Sequence, residues 1–154
     1  MRKDLSRIER ELMLLGRHTA MGAGRCRPGE LDLRLERSAY LLLSRLETQG
    51  PMSIGQLADA FGLDCSTVNR QTGAVLRAGL LERIPDPEGG MARKLRVTEE
   101  GLRRLRLDRE ERVRGLGGLL DHWSAAELST LAEVLARFNA TVEAQDGEPW
   151  PRGT

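Results

Sequence analysis

The chain has 154 residues, enough for one domain with a sizeable core, and with only 3% aromatic residues that core must be built mostly from Leu, Val, Ala and Met. No run approaches the ~18 apolar residues of a membrane span, and Arg2, Lys3 and Asp4 are not followed by the apolar stretch of an export signal, so a cytoplasmic protein is expected. A net charge of +1 offers no overall attraction to nucleic acid, but residues 1–63 carry +2, residues 64–120 carry +3 and residues 121–154 carry −4. Phosphate attraction is local, screened beyond about 8 to 10 Å at physiological salt, so an acidic end leaves a basic face elsewhere effective.

From Asp4 to about Met21, Leu5, Ile8, Leu12, Leu15 and Thr19 recur at three- and four-residue spacing with Arg7, Arg10, Glu11 and Arg17 between them, which predicts an amphipathic helix. Gly22, Gly24, Pro28 and Gly29 then predict a loop. A second helix is expected from about Leu35 to Thr48, with Ala39, Leu42, Leu43 and Leu46 inward, Tyr40 at the core edge, and Gly50-Pro51 as its stop.

The stretch from Ser53 to Thr98 carries the densest signals. Ser53 with Gln56 three residues later is a capping box; Leu57, Ala58 and Phe61 form an apolar face; and Gly62 ends the helix. Asp64 can cap the next helix, placing Cys65, Ser66, Thr67, Asn69 and Arg70 on its first turns while Val68, Val75 and Leu76 face inward. Small hydroxyls, an amide and a guanidinium at a helix N-terminus are the side chains that read base edges and hold phosphates in a major groove. Leu80 to Pro85 reads as a strand, Asp86 to Gly90 as a turn, and Ala92 to Val97 as a returning strand with Leu95 and Val97 opposed to Arg93, Lys94 and Arg96. Between Cys65 and Arg96 six basic residues, Arg70, Arg77, Arg83, Arg93, Lys94 and Arg96, face three acidic ones. The pattern is a helix-turn-helix followed by a β-hairpin wing.

Thr98 is expected to cap a long helix from Glu99 towards His122, with Leu102, Leu105, Val113, Leu116, Leu119 and Leu120 on one broad side and a bend or close contact at Gly115, Gly117 and Gly118. Ser124 with Glu127 starts a last helix whose stripe is Leu128, Leu131, Val134, Leu135, Phe138 and Val142. Residues 145–154 lack periodicity and are expected to be a flexible tail.

Leu63 to Arg70, Leu76 to Arg83, Asp86-Pro87-Glu88 and Leu95 to Gly101 together resemble the MarR family of bacterial transcriptional regulators, over roughly Leu35 to Leu102. At the wing tip that family commonly shows Asp-x-Arg where this chain has Gly89-Gly90-Met91, and Gln71, Thr72 and Gly73 replace a more usual apolar pair and polar residue. The resemblance implies a mainly α fold with a small β-hairpin wing. Residues 1–34 would supply a dimerisation helix and loop, 35–98 the winged helix-turn-helix, and 99–144 the C-terminal dimerisation helices. It also implies a homodimeric repressor of a pseudo-palindromic DNA operator, released by a small ligand.

The DNA-binding candidates are Ser53, Cys65, Ser66, Thr67, Asn69, Arg70, Arg77, Arg93, Lys94 and Arg96, with Arg93 or Lys94 taking over at the wing from Met91. The dimer-interface candidates are Leu5, Ile8, Leu12, Leu116, Leu120, Leu128, Leu131, Leu135 and Phe138. His18, Tyr40 and Trp123 are the candidates for a ligand pocket between arm and head. An enzyme is not expected: His18 and His122 have no partners at triad spacing, and no phosphate loop, dinucleotide fingerprint or HExxH occurs. Cys26 and Cys65 lack a second Cys or His at ligand spacing, so neither a metal nor any cofactor is expected. Two alternatives stay open: a thiol-based redox sensor using Cys65, since a helix N-terminus favours the thiolate, and a winged-helix protein-protein adaptor that has lost DNA.

Overall fold

The computed structural model describes residues 1–21 (of 18–21 the backbone only), 35–146 and 149–152. The loop expected around Gly22 to Gly29, with Cys26, lies outside these. Contacts divide the chain into two units, Met1–Arg34 and Leu35–Thr154. The first contains α1, Arg2–Met21, whose stripe of Leu5, Ile8, Leu12 and Leu15 is solvent-exposed.

The second unit runs α2 (Arg37–Gln49), α3 (Ile54–Phe61), α4 (Cys65–Arg77), β1 (Leu81–Ile84), β2 (Lys94–Val97), α5 (Glu99–Leu119) and α6 (Ala125–Asp146). Each boundary has a local cause. α2 ends at Gly50, whose φ of 87° lies in the left-handed region. The Ser53–Gln56 box closes as a reciprocal pair, with Ser53 Oγ accepting from Gln56 N at 3.1 Å and Ser53 N donating to Gln56 Oε1 at 2.9 Å. Gly62, at φ 61°, turns the chain between α3 and α4.

β1 and β2 pair antiparallel in the register Leu81 with Val97, Glu82 with Arg96, Arg83 with Leu95 and Ile84 with Lys94. Met52 adds a one-residue third strand, its N–H donating to Leu95 O at 3.2 Å and its carbonyl accepting from Leu95 N at 2.8 Å. The hairpin is thereby tied to the α2–α3 connection. Thr98 joins three elements: its hydroxyl donates to Gly79 O at 2.7 Å and accepts from Gly101 N at 3.0 Å, capping α5, while its N–H donates to Leu80 O at 3.1 Å. Gly101 is required by the same junction, because a Cβ there would lie 2.2 Å from the Leu80 carbonyl oxygen.

The core lies where α2, α3, α4, the hairpin and the start of α5 meet. Leu42, Leu43, Leu57, Val68, Leu95 and Leu105 are wholly buried. Asp108 is buried with them, its Oδ2 accepting from Leu35 N at 3.3 Å and pairing with Arg112 at 3.0 Å; Arg112 in turn lies 4.2 Å from the centre of the Tyr40 ring. This anchors α5 to the start of α2.

α5 runs unbroken through Gly115, Gly117 and Gly118, and a Cβ at any of the three would meet nothing within 4 Å, so the close contact expected as one explanation is not found among the described residues. Within the stretch expected to be a flexible tail, α6 continues to Asp146 and Trp150 packs on Phe61 with ring centroids 5.8 Å apart.

Hydrogen bonds at helix starts and ends hold several carboxyls below their ordinary range: Asp64 through the Ser66 hydroxyl and Thr67, Glu127 through the Ser124 hydroxyl, and Glu143 through Arg152. Such a group binds fewer protons folded than unfolded, so its contribution is present above the unfolded pKa and disappears as pH falls through the folded value. The melting temperature is therefore expected to stay level from pH 7 down to about 5 and to fall progressively below about 4. A melting temperature that rose on acidification would contradict this.

Candidate nucleic-acid interface

α4 is set by Asp64, whose Oδ1 accepts from Thr67 N and whose Oδ2 accepts from the Thr67 hydroxyl, each at 2.8 Å, while the Ser66 hydroxyl donates to Oδ1. The Ser66 and Thr67 hydroxyls are thus engaged in starting the helix. Ser53 is engaged in the same way at α3.

The inward face of α4 is Val68, Thr72 and Val75. Thr72 replaces an apolar residue without leaving a polar atom unpaired, because its hydroxyl donates to Val68 O at 2.9 Å and to Asn69 O at 3.1 Å. On the solvent side stand Asn69, Arg70, Ala74 and Arg77, with Gly73 half-buried between them. Arg70 and Arg77 are seven residues apart, two helical turns, and so share one face. Small residues between them leave room for a close approach.

In the wing, the cationic strand face expected from alternation is largely neutralised. Lys94 Nζ lies 3.0 Å from Asp86 and 3.7 Å from Glu88, and the Asp86 carboxylate raises its pKa above the ordinary lysine value. Arg96 pairs with Glu82 at 2.8 Å. The turn itself depends on Asp86, which accepts from Glu88 N at 3.0 Å, and on Gly89 at φ 82°. Arg70, Arg77, Arg83 and Arg93 are exposed and form no ion pair among the described residues. Four uncommitted arginines, not six basic residues, therefore make up the positive surface of this region. Met91 is fully exposed beside them.

Cys65 is exposed and free as the first residue of α4. The dimer candidates Leu5, Ile8, Leu12, Leu116, Leu128, Leu135 and Phe138 are exposed in the single chain, Leu120 and Leu131 are half-buried, and no α6 side chain is buried. The side chain of His18 lies outside the described residues. Trp123 is exposed, and Tyr40 is half-buried beneath Arg112. A cavity of about 300 Å³ lies elsewhere, lined by Leu41 and Leu42 of α2, Phe61 and Leu63 at the α3–α4 turn and Gln71 of α4, with Arg37 at its rim. Neither Tyr40 nor Trp123 reaches it.

The MarR family model matches residues 35–89, the span from the start of α2 to the wing turn. An uncharacterised HTH-type transcriptional regulator of Bacillus subtilis (strain 168), YxaD, is 37% identical over 105 residues, covering 68% of this chain and 73% of the relative. The chain belongs to the MarR family. A MarR family protein from Bacillus stearothermophilus has the same fold, with a TM-score of 0.71 at 20% identity over 92% of this chain and 97% of that one. The PcaV regulator of Streptomyces coelicolor, solved in complex with its natural ligand, has a TM-score of 0.58 at 22% identity over 86% of this chain and 89% of that one. As a MarR-type winged helix-turn-helix transcriptional regulator, the chain has α3 and α4 as its helix pair and β1–β2 as its wing.

Sequence reasoning missed three features of this MarR head. The Met52 strand is a single residue and has no period to detect. The ion pairs that neutralise Lys94 and Arg96 depend on hairpin register, although the acidic residues themselves were visible. The anchoring of α2 by Asp108 had one available signal, an acidic residue one turn beyond Leu105 on the inward face of α5.

Proposed function

We propose that this regulator is a cytoplasmic homodimeric repressor whose two α4 helices enter successive major grooves of a pseudo-palindromic operator about 34 Å apart. The observation that carries this reading is the solvent face of α4, where Arg70 and Arg77 are exposed, form no ion pair among the described residues and have Gly73 and Ala74 between them. Asn69 and Arg70 on the early turns read base edges, Arg77 and Arg83 hold phosphates, and Ser53 and Cys65 approach the backbone at the starts of α3 and α4. The apolar stripes of α1, α5 and α6, exposed in one chain, are covered by the second copy. A small ligand releases DNA by changing the separation of the two heads.

Salt dependence tests the reading. Log affinity for a promoter duplex containing the inverted repeat is expected to fall against log salt with a slope of about −0.9 per phosphate contacted. A flat slope, or no binding at low salt to duplexes drawn from the protein's own promoter, would favour the adaptor.

At the wing, Arg93→Ala is expected to cost more DNA affinity than Met91→Ala, by roughly 1 to 3 kcal/mol if the contact is to a base edge and less if it is to phosphate. Lys94→Ala should act instead by loosening the turn that Asp86 organises. Binding measured at one salt concentration decides this, and equal negligible losses for Arg93→Ala and Met91→Ala would remove the wing from the interface.

A further inference from the structure

The segment Pro149–Arg152 makes three kinds of contact with the head and two with the end of α6. Trp150 packs on Phe61 at 5.8 Å with the rings inclined at 50°, and the Arg45 guanidinium sits 5.2 Å from the centre of the Trp150 indole. Arg45 Nη1 donates to Pro149 O at 3.3 Å. From the other side Glu143, near the end of α6, accepts from Trp150 N at 3.2 Å and pairs with Arg152 at 2.7 Å. Arg45 is only 3% exposed although it is an arginine in the middle of α2. Its Nε also donates to Gln49 Oε1 at 2.8 Å, one turn on in the same helix.

We propose that Pro149–Arg152 is a strap that fastens the far end of α6 to the head, so that displacement of the arm is transmitted to α3 and the α4 cap. The transmission rests on the reading of α6 as part of the dimer arm; the fastening does not. α6 has no buried side chain, so its own surface holds it to the head only weakly, and the strap supplies the attachment. Phe61 is the last residue of α3, directly before the Gly62 turn that leads to Asp64. A pull on the indole therefore bears on the turn that sets the direction of the recognition helix. Pro149 and Pro151 flank the tryptophan and limit the backbone freedom lost when the strap docks.

The test uses the full-length protein carrying Trp123→Phe, so that Trp150 is the sole emitter. Its emission is expected at shorter wavelength than in denaturant and shielded from acrylamide; Arg45→Met and Glu143→Gln should each shift it to the red and increase quenching, with helical circular dichroism retained. Trp150→Ala should weaken binding to a two-half-site operator roughly 3- to 10-fold while leaving a single half-site duplex unaffected. Trp150 emission as exposed in the native protein as in denaturant would overturn the fastening. Unchanged operator affinity in Trp150→Ala would overturn the transmission. If the unmodified protein bound no operator, the DNA reading would fail, and quenching would still decide whether the strap is fastened.

Discussion

Leu135→Arg is expected to convert the protein from a dimer into a monomer whose head remains folded. Leu135 is 44% exposed in the single chain, on a helix with no buried side chain, so a guanidinium there displaces no core residue of the chain. In the proposed dimer the same position would lie in the apolar stripe shared by two copies. Burying a charge without a partner costs several kcal/mol, and about 4 kcal/mol already weakens association on the order of a thousandfold. Sedimentation at micromolar concentration should show the dimer for the unmodified protein and the monomer for the variant, with similar helical content. A stable monomer before substitution would remove the basis for paired half-sites. Leu131 is half-buried, so Leu131→Arg should dissociate the dimer and also perturb the chain itself.

Arg70→Ala should be the most damaging single change to DNA binding. Arg70 is exposed, has no ion pair among the described residues and stands on the second turn of α4, so its removal would take away the proposed groove contact and no core atom. A loss of about 1 to 3 kcal/mol is expected if it reads a base edge, with relaxed discrimination at that base pair. Arg96→Ala is the informative control. Its guanidinium already pairs with Glu82 at 2.8 Å, so it has less charge to offer a phosphate and should cost less. Equal losses for the two, at one salt concentration and with unchanged melting temperatures, would mean that α4 acts through general charge and not through a groove contact.

The arginines separate what the chain's local chemistry specifies from what it leaves open. Caps and turns operate over three or four residues, so Ser53 with Gln56, Asp64, Thr98, Ser124 with Glu127, and the Asp86–Gly90 turn are all written in adjacent letters, and each forms as the letters imply. Apolar period likewise identifies the inward faces of α2, α3 and α4, because the helix repeat is a property of the backbone. The motif from Leu63 to Gly101 carries the family in part for the same reason: its turn and caps are short-range requirements, whereas Gly101 answers to the Leu80 carbonyl across the wing.

Which charges remain available is a different kind of question. Six basic residues between Cys65 and Arg96 look alike in the sequence, yet the folded hairpin places Lys94 beside Asp86 and Arg96 beside Glu82 and leaves Arg93 and Arg83 without an ion pair among the described residues. The same holds for contacts closed by the fold over long chain separations: Asp108 with Leu35 across 73 residues, and Arg45 with Pro149 across 104. A residue's own neighbours in the chain do not determine such partners, because burial and pairing energies depend on what tertiary packing brings within a few ångströms. By itself the sequence determined the helix pair, the wing and the family, and it supplied the basic residues from which the proposed DNA contacts are drawn. Only the tertiary structure decided which of those residues stay uncommitted, and that Trp150 binds the head, since both depend on side chains that meet only after the chain has folded.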